Sequence, residues 1–547
     1  MAARVLLVVA IALATSPCLG DEIAGASPLS VPEVARRIDE MIQARLDERN
    51  IAASPRASDL NLLRRVTLDL AGRIPTRFEI EEYEAAPVET RYEQAVARLV
   101  ESPDYAFHLR NELDALLLAR KRNDDSWREY LLWATRQNRP WSDIFADLLL
   151  PEPEDKPRAS AVAFLKERVR EPEQMANDTA VLFFGVNIGC AQCHDHPLVA
   201  DWQQKHFYGM MAFFNRTYKT KKETLAEKPD GQTRFKTVAG EEFDAPFMFL
   251  NGECVDEPLV TKSDEERKAD LEEVKRQMND AEAPAPLPPP FRPREELVRL
   301  ALKADQDRNG FLARAIVNRT WARLLGYGFV EPLDQMHSEN PPSHPELLQF
   351  LTQDLVAQGY DLRRLIHAIV LTEAYCRSTE TYENRPFTEL DSFAAGLTRP
   401  LSPWQVSLSL LVASQNPDWF AKPEVRTQWE NKRGELERQS ISLSREIELP
   451  GENFQVGVEE ALLFSNHPRM QNDYLRDGGD KLFGKLKGLS AEAMIEEAFL
   501  VVFTRRPTEQ ERQFALDYLT ATSESPPSVR QNLLWALLTS PEFRFNH

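Results

Sequence analysis

The segment SVPEVARRIDEMIQARL, residues 30–46, contains the pattern that decides the fold class. It begins with a Ser and a Glu three positions apart, a capping box in which each side chain satisfies a free backbone amide at a helix start. Apolar side chains then recur every three or four positions, the spacing of one helix face, at Val34, Ile38, Met41, Ile42 and Leu46. We predict that this segment is an amphipathic helix packed against a core.

The same start signal recurs along the chain, and each copy precedes a stretch with helical apolar spacing. The further capping boxes are Thr76…Glu79, Ser343…Glu346, Ser402…Gln405 and Thr508…Glu511. Only 21 of the 547 residues are glycine, and no regular alternation of strands and turns is visible. These features predict a mainly α-helical protein, and its 42% hydrophobic residues are enough to bury a core.

A chain of 547 residues is too long for one ordinary core, so at least two domains are expected. The composition changes in the middle, where a highly charged stretch, 262–283, precedes six prolines within residues 284–293. Proline fixes φ and has no amide donor, so this proline stretch is expected to be extended. We predict two helical domains, at residues 30–250 and 295–547, joined by a charged, proline-rich linker at residues 251–294.

Residues 1–20 have the parts of a secretory signal. Arg4 supplies the positive charge, residues 5–14 form an apolar stretch too short to span a bilayer, and cleavage is expected near Gly20. An uncleaved membrane anchor is the alternative. No later stretch of the sequence is long and apolar enough to span a membrane. We predict an exported protein, located in the periplasm or on the cell surface.

The charge balance argues against one class of partner. The chain has 66 Lys and Arg against 86 Asp and Glu, a formal net charge of −20. Such a surface repels nucleic-acid phosphates and anionic lipid headgroups. No basic cluster with interleaved aromatic residues points the other way, so we do not expect a nucleic-acid-binding protein.

The strongest chemical signal is CAQCH, residues 190–194. Two thiols at this spacing can add to the two vinyl groups of one porphyrin, and the following His can bind its iron, which is the pattern of a c-type haem site. We predict haem c attached through Cys190 and Cys193, with His194 as an axial ligand. The candidates for a sixth ligand are His206, Met210, Met211 and Met248, and without one of them the iron would be five-coordinate.

Two other interpretations fit the same residues. Thiolate, imidazole and carboxylate groups also bind a single Zn or Fe ion, and the candidate ligands besides the cysteines are His194, Asp195, His196 and His206. The other interpretation is structural, with Cys190 and Cys193 joined in a disulfide and the histidines merely hydrogen-bonded. All three interpretations remain open at the level of sequence.

The other cysteines allow one further bond. Cys254 and Cys376 could form a disulfide in an oxidising compartment, closing a loop of about 120 residues. Alternatively, Cys376 is a buried free thiol on an apolar helix. The spacing does not decide between these two interpretations.

A weak internal repeat relates the two ends of the chain. Residues 68–76, LDLAGRIPT, are similar to residues 501–508, VVFTRRPT, and each copy is followed by helical stretches. Each copy then ends in Ser, Pro, an acidic residue and an aromatic residue, at 102–105 and 540–543. We interpret the repeat as a recurring helical unit rather than as an active site.

Several blocks stand out in the first half of the sequence: RRVTLDL (64–70), QNRPW (137–141), FGVNIGCAQCHDHP (184–197), WQ (202–203) and FYG (207–209). Together these blocks resemble the cytochrome-c-like domain of secreted Planctomycete proteins. Further blocks resemble the C-terminal partner domain of that family: VNRTW (317–321), GYG (326–328), NPPSHP (340–345) and SPEF (540–543). The resemblance implies an exported helical protein with a haem-type domain and its partner domain, in a family of largely unknown function.

These observations support three hypotheses. The leading one is a haem-bearing electron-transfer or redox module that meets a redox partner protein. The second is an enzyme or binding protein with a single Zn or Fe ion at the same residues, acting on an extracellular polymer. The third is a cell-surface interaction scaffold without chemistry.

Overall fold

The structure is a computed structural model, and it describes residues 28–119, 125–152, 154–258, 262–308, 310–379, 387–447, 462, 464, 468–521 and 526–547. The predicted signal, residues 1–20, lies outside the described residues. The α-helices are α1 Val31–Arg49, α2 Asp59–Ala71, α3 Arg77–Ala85, α4 Arg91–Val100, α5 Pro103–Leu118, α6 Asp125–Arg136, α7 Trp141–Leu149, α8 Lys156–Ala159, α9 Ala163–Lys166, α10 Pro172–Phe184, α11 Gln204–Ala212, α12 Asp264–Asn279, α13 Pro293–Gln306, α14 Leu312–Leu325, α15 Pro345–Ala357, α16 Leu362–Val370, α17 Glu373–Cys376, α18 Pro403–Ser414, α19 Pro417–Phe420, α20 Pro423–Thr427, α21 Trp429–Glu446, α22 Leu482–Leu486, α23 Ala491–Phe503, α24 Glu509–Ala521 and α25 Pro526–Leu538.

The helix predicted from residues 30–46 is α1, and the mainly α prediction is confirmed. The Glu33 carboxylate accepts from the Ser30 amide (2.7 Å), as a capping box requires. The predicted apolar face is buried except at Met41, which is half-buried. The capping boxes at Thr76, Ser402 and Thr508 also form.

The capping box predicted at Ser343 is wrong. α15 begins at Pro345, and its N-cap is His344, whose side chain makes no cap hydrogen bond. Proline is favoured at the first helical position because its ring presets φ and its missing amide is not needed there. The proline therefore sets the helix start one residue later than the Ser and Glu spacing indicates.

Short antiparallel strands, which the sequence pattern did not reveal, form four two-stranded sheets within the described residues. The strands are β1 Thr217–Lys219, β2 Leu225–Glu227, β3 Thr233–Lys236, β4 Glu242–Ala245, β5 Phe247–Met248, β6 Cys254–Val255, β7 Arg399–Pro400 and β8 Phe545–Asn546. Their pairs are β1 with β2, β3 with β4, β5 with β6 and β7 with β8. The first six strands follow α11, so a set of hairpins lies next to the helix that follows the CxxCH motif.

Hydrophobic packing continues across the segment 251–294. The larger hydrophobic cluster contains side chains from α1 through α17, and Leu68 and Ile74 of the N-terminal half belong to a second cluster otherwise built from residues 401–543. α1 packs on α16, α10 on α14 and α5 on α21. The predicted domain boundaries stay predictions, and the halves on either side of them are in extensive contact. No helix in the described part of the chain combines the length and hydropathy that crossing a membrane requires.

The internal repeat has the same ion-pair geometry in both copies. Nη1 of Arg73 donates to Oε2 of Glu79 (2.7 Å), and Nη2 donates to Oδ2 of Asp104 (2.9 Å). In the second copy, Arg505 donates to Glu511, which closes the capping box at Thr508 (2.7 Å), and to Glu542 of the SPEF block (2.6 Å). Each copy is thus a three-helix unit closed by an arginine between two carboxylates.

A third three-helix unit lies between these two. α14, α15 and α16 pack on one another, as α2, α3 and α4 do and as α23, α24 and α25 do. α14 ends at Gly326 with a φ of +87°, and α16 is followed by Thr372, whose side chain caps α17. The hydroxyl of Tyr375, the aromatic residue that follows, donates to Asp69 of α2 (2.6 Å). Three sets of three mutually packed helices thus occur along the chain, and a direct hydrogen bond joins two of these sets.

Candidate functional site

The CxxCH motif begins on a short 3-10 helix, Gly189–Gln192, shortly after α10 ends. The C-cap of α10 is Gly185, whose φ is +66°, and a Cβ at this position would lie 2.9 Å from Sδ of Met336. The Asn187 amide then donates to the Asp334 carbonyl (2.8 Å), and its side chain accepts from the amide two residues later (3.1 Å). The turn is therefore fixed against a loop from the C-terminal half of the chain.

Both thiols of the motif and the imidazole that follows lie on the surface. Cys190, Cys193 and His194 are exposed, whereas Ala191 is fully buried and anchors the turn. All four cysteines of the described residues are free, so the two thiols of the motif do not form a disulfide here. The motif is open to a group that arrives from solvent.

Hydrogen bonds distinguish the three histidines near the motif. Nδ1 of His194 lies 2.8 Å from the Asp195 carbonyl oxygen, which can only accept, so Nδ1 carries a proton and, in the neutral ring, Nε2 has a free lone pair. Nδ1 of His196 instead accepts from the amide three residues later (3.1 Å), and Nδ1 of His206 accepts from the amide three residues earlier (3.1 Å). In those two neutral rings the proton is on Nε2. Of these three, only His194 is arranged as a ligand.

Asp195 also has a structural partner. Its Oδ1 accepts from the Gln204 amide at the start of α11 (2.9 Å), which closes the loop between the turn and that helix. Among the described residues, no three His, Cys, Asp or Glu side chains come together as metal ligands would. Three of the predicted ion ligands, Asp195, His196 and His206, thus hold the loop in shape, and a Zn or Fe ion at this loop stays a prediction.

Of the four candidates for a sixth iron ligand, the three methionines are buried and His206 is half-buried. Met210, Met211 and Met248 are buried in the core and would have to leave it to reach an iron at the exposed turn. Burial lowers the pKa of His206, and its ring packs edge-on against Trp202 (ring centroids 6.0 Å apart). None of these four side chains therefore presents a free donor atom at the exposed turn.

Aromatic side chains lead from the turn along the neighbouring hairpin. The Tyr208 hydroxyl donates to the Gln192 carbonyl (3.0 Å), and burial together with the nearby Cys193 raises the pKa of Tyr208. Tyr208 stacks on Phe235 of β3 (centroids 4.6 Å apart, planes at 8°), and Phe235 stacks on Phe243 of β4 (5.8 Å, 28°). We call these three rings the aromatic ladder. Phe243 is 46% exposed, so the ladder connects the motif to the solvent-facing side of the hairpin.

Sequence reasoning missed the aromatic ladder. Tyr208 belongs to the FYG block, but Phe235 and Phe243 lie in a stretch of mostly polar residues. The available signal was their separation by eight positions around a turn that contains Gly240, because two residues so placed can face each other across a hairpin.

The structure separates the two remaining cysteines. Cys376 is fully buried in α17, and burial raises the pKa of its thiol to about 11. Cys254 is exposed on β6. Both are free, so the structure agrees with the interpretation of Cys376 as a buried thiol and does not contain the alternative disulfide.

Two family models match the chain. PSCyt2, described as a protein of unknown function (DUF1549), matches residues 37–219, and PSD1, described as a protein of unknown function (DUF1553), matches residues 293–519. The CxxCH motif lies in the first match and the NPPSHP block in the second. Neither the curated proteins nor the solved structures gave a match. The chain belongs to the family in which a PSCyt2 domain is followed by a PSD1 domain.

Proposed function

We propose that this chain is an exported redox module that holds haem c covalently through Cys190 and Cys193, with His194 as the axial ligand. The observation that carries the proposal is the pair of exposed thiols on one turn, beside an imidazole whose Nδ1 bonds a carbonyl and whose Nε2 is free. A neutral imidazole binds a metal through one ring nitrogen, and a hydrogen bond from the other ring nitrogen fixes the tautomer and the orientation of the ring.

The chain's residues fit this group in chemistry and in surroundings. Each thiol would add across one vinyl group, forming a carbon–sulfur bond as the vinyl π bond breaks, and the thiol proton would move to the other vinyl carbon, so no oxidant is needed. The aromatic ladder offers a flat apolar surface beside Cys193. When bound, the haem iron supplies one-electron chemistry.

The surrounding loop would keep the site rigid. Asp195 and His196 use their side chains to bind backbone amides of the same loop, so the turn holds its shape without a bound group. With a net charge of −20, the chain would attract a basic redox partner by long-range electrostatics.

The test is expression in a host that exports proteins and attaches haem c, followed by a pyridine-haemochrome spectrum and a haem stain after denaturing electrophoresis. We expect one covalent haem per chain. The double variant Cys190→Ser, Cys193→Ser should lose it. Cys254→Ser is the matched control, because it removes another exposed free thiol, on β6, and should leave the haem in place. N-terminal sequencing of the same material tests cleavage near Gly20.

Elemental analysis of that preparation separates the alternatives. A colourless protein with one zinc or iron per chain would overturn the haem proposal and favour the single-ion hypothesis, with an extracellular polymer as the candidate substrate. A colourless and metal-free protein would overturn both. If it also bound a partner equally well after Cys193→Ser and His194→Ala, the scaffold hypothesis would be favoured.

A further inference from the structure

A proline-rich segment, PAPLPPP (residues 284–290), lies between the two family matches, which cover 37–219 and 293–519. Residues 284–289 adopt no helix, strand or turn. Proline presets φ for polyproline II, an extended left-handed helix with three residues per turn and no internal hydrogen bonds. Seven residues in this conformation form a rod of about 20 Å. Such a rod has three rows of side chains, because every third residue points the same way.

Burial along the segment repeats every three residues. Ala283 and Pro289 are buried, and Pro286 and Arg292 are half-buried. A period of three is that of polyproline II and differs from the 3.6 of an α-helix and the 2.0 of a strand. These four residues therefore form one row, and this row faces the protein.

Contacts with the hairpins hold both ends of the segment. At the first end, Nζ of Lys222 donates to the Ala283 carbonyl (3.2 Å). At the second end, the Phe291 ring packs against Phe247 of β5, with ring centroids 5.1 Å apart and planes at 61°. The guanidinium of Arg216 lies over the same Phe291 ring, 5.9 Å from its centroid. The segment is therefore fixed in place before any partner arrives.

The other two rows are open to solvent. Pro284, Leu287 and Pro290 form one of them, and all three are exposed. Leu287 is 87% exposed, more than any other large apolar side chain of the described residues. Ala285 and Pro288, in the remaining row, are exposed as well. The open side of the rod is thus made of apolar side chains.

A polyproline II segment with open apolar rows is the form that protein grooves lined by aromatic side chains bind. A groove placed against one side of the rod contacts two of its three rows, and two rows are free here. Because the segment is already extended and held at both ends, binding would cost little conformational entropy.

Charge specifies the partner further. Asp280 and Glu282, just before the segment, are exposed, so a groove with a basic rim is complementary to this end of the rod. Two copies of this chain, each with a net charge of −20, would repel one another. The charges therefore favour a different, basic partner over a second copy.

We propose that residues 284–290 are a docking segment for a partner protein whose groove is lined by aromatic side chains and has a basic rim. Pro284, Leu287 and Pro290 enter the groove, and the row that contains Pro289 stays on the chain. The proposal does not depend on haem.

The test is calorimetric titration of the full-length exported chain with a purified WW domain that carries an arginine at the rim of its aromatic groove. We expect saturable binding of one domain per chain. Leu287→Lys should weaken this binding by about tenfold or more, because a leucine side chain is no longer buried in the groove. Val88→Lys is the matched control, since it changes another exposed apolar side chain (65% exposed), between α3 and α4, and should bind like the unmodified chain. The same domain with its rim arginine replaced by glutamate should bind more weakly at low salt.

Urea unfolding separates docking from folding. Pro284→Ala and Pro289→Ala release the unfolded chain to a similar extent, so a difference between them reports contacts of the folded state. Pro289→Ala changes the covered row and should lower the urea midpoint more than Pro284→Ala does. Leu287→Lys changes an open row and should leave the midpoint unchanged.

Several results would overturn the proposal. They are the absence of saturable binding of the WW domain, undiminished binding by Leu287→Lys, equal binding of the acidic-rim domain, and a midpoint for Leu287→Lys as low as that for Pro289→Ala. A dimer in sedimentation that Leu287→Lys dissociates would overturn it too, because it would identify a second copy as the occupant.

Discussion

Replacing Arg73 with methionine removes a guanidinium that is 2% exposed and lies between two buried carboxylates. Burial alone would raise the pKa of Glu79, but Arg73 and Arg98 keep it well below its usual range, so the carboxylate is ionised at neutral pH. Without Arg73, Glu79 would keep only Arg98, which is 41% exposed, and Asp104 would keep Arg433, which it shares with Glu437. Breaking a buried pair in this way costs about 3–5 kcal/mol of unfolding free energy.

The internal repeat provides the matched comparison. Arg505 makes the same two contacts in the C-terminal unit, but its side chain is 22% exposed and those of Glu511 and Glu542 are 35% and 28% exposed. Solvent screens these charges, so Arg505→Met should cost about 1 kcal/mol or less. The two sites therefore differ in burial, and also in the second arginine that each carboxylate of the first copy contacts.

Urea unfolding at pH 7, followed by far-ultraviolet circular dichroism and tryptophan fluorescence, measures both losses. We expect Arg73→Met to lose about 2–4 kcal/mol more than Arg505→Met. The gap should narrow as the pH falls below about 4, because protonation of the carboxylates removes the unpaired charges. Equal losses in the two variants, or a gap that does not change with pH, would refute the argument from burial.

Three further predictions follow from the structure. Burial raises the pKa of Asp305 to about 6, so the stability contributed by its protonated form is present below about pH 4 and is lost as the pH rises through 6. Relative to the unmodified chain, Asp305→Asn should therefore gain about 2 kcal/mol of unfolding free energy at pH 8 and none at pH 4. Urea unfolding at the two pH values measures this difference. Gly185→Ala should lose about 1–2 kcal/mol, because it combines a φ of +66° with a close contact, whereas a loss near zero would show that the turn adapts. In the native protein a thiol reagent should label Cys254 rapidly and Cys376 only after urea is added, and labelling of Cys376 at the same rate would mean that α17 opens.

The helices were predictable because their signals are local. The capping box at Ser30 and the apolar spacing that follows it specify α1 within seventeen residues of sequence. The strands were not predictable in the same way. β5 and β6 contain two residues each, too few for an alternating pattern, and their pairing depends on contacts outside the hairpin.

In the candidate site, too, only the features with a local sequence signal were predictable. The CxxCH spacing identified the thiols and His194 from sequence, but the roles of His196 and His206 depend on which backbone amides lie beside them in space. Sequence alone could not show that these two rings accept hydrogen bonds and so lack a free lone pair.

The packing also gives a physical reason for the two family domains to act together in this chain. The turn that carries the motif is hydrogen-bonded to Asp334, and the end of its loop is hydrogen-bonded through Asp201 to Ser338. Residues of the second domain therefore hold both ends of a loop that belongs to the first. A loop with exposed thiols would otherwise depend on its own few hydrogen bonds, and surface loops with few contacts open easily. Separating the domains would therefore loosen the loop that carries the thiols and His194.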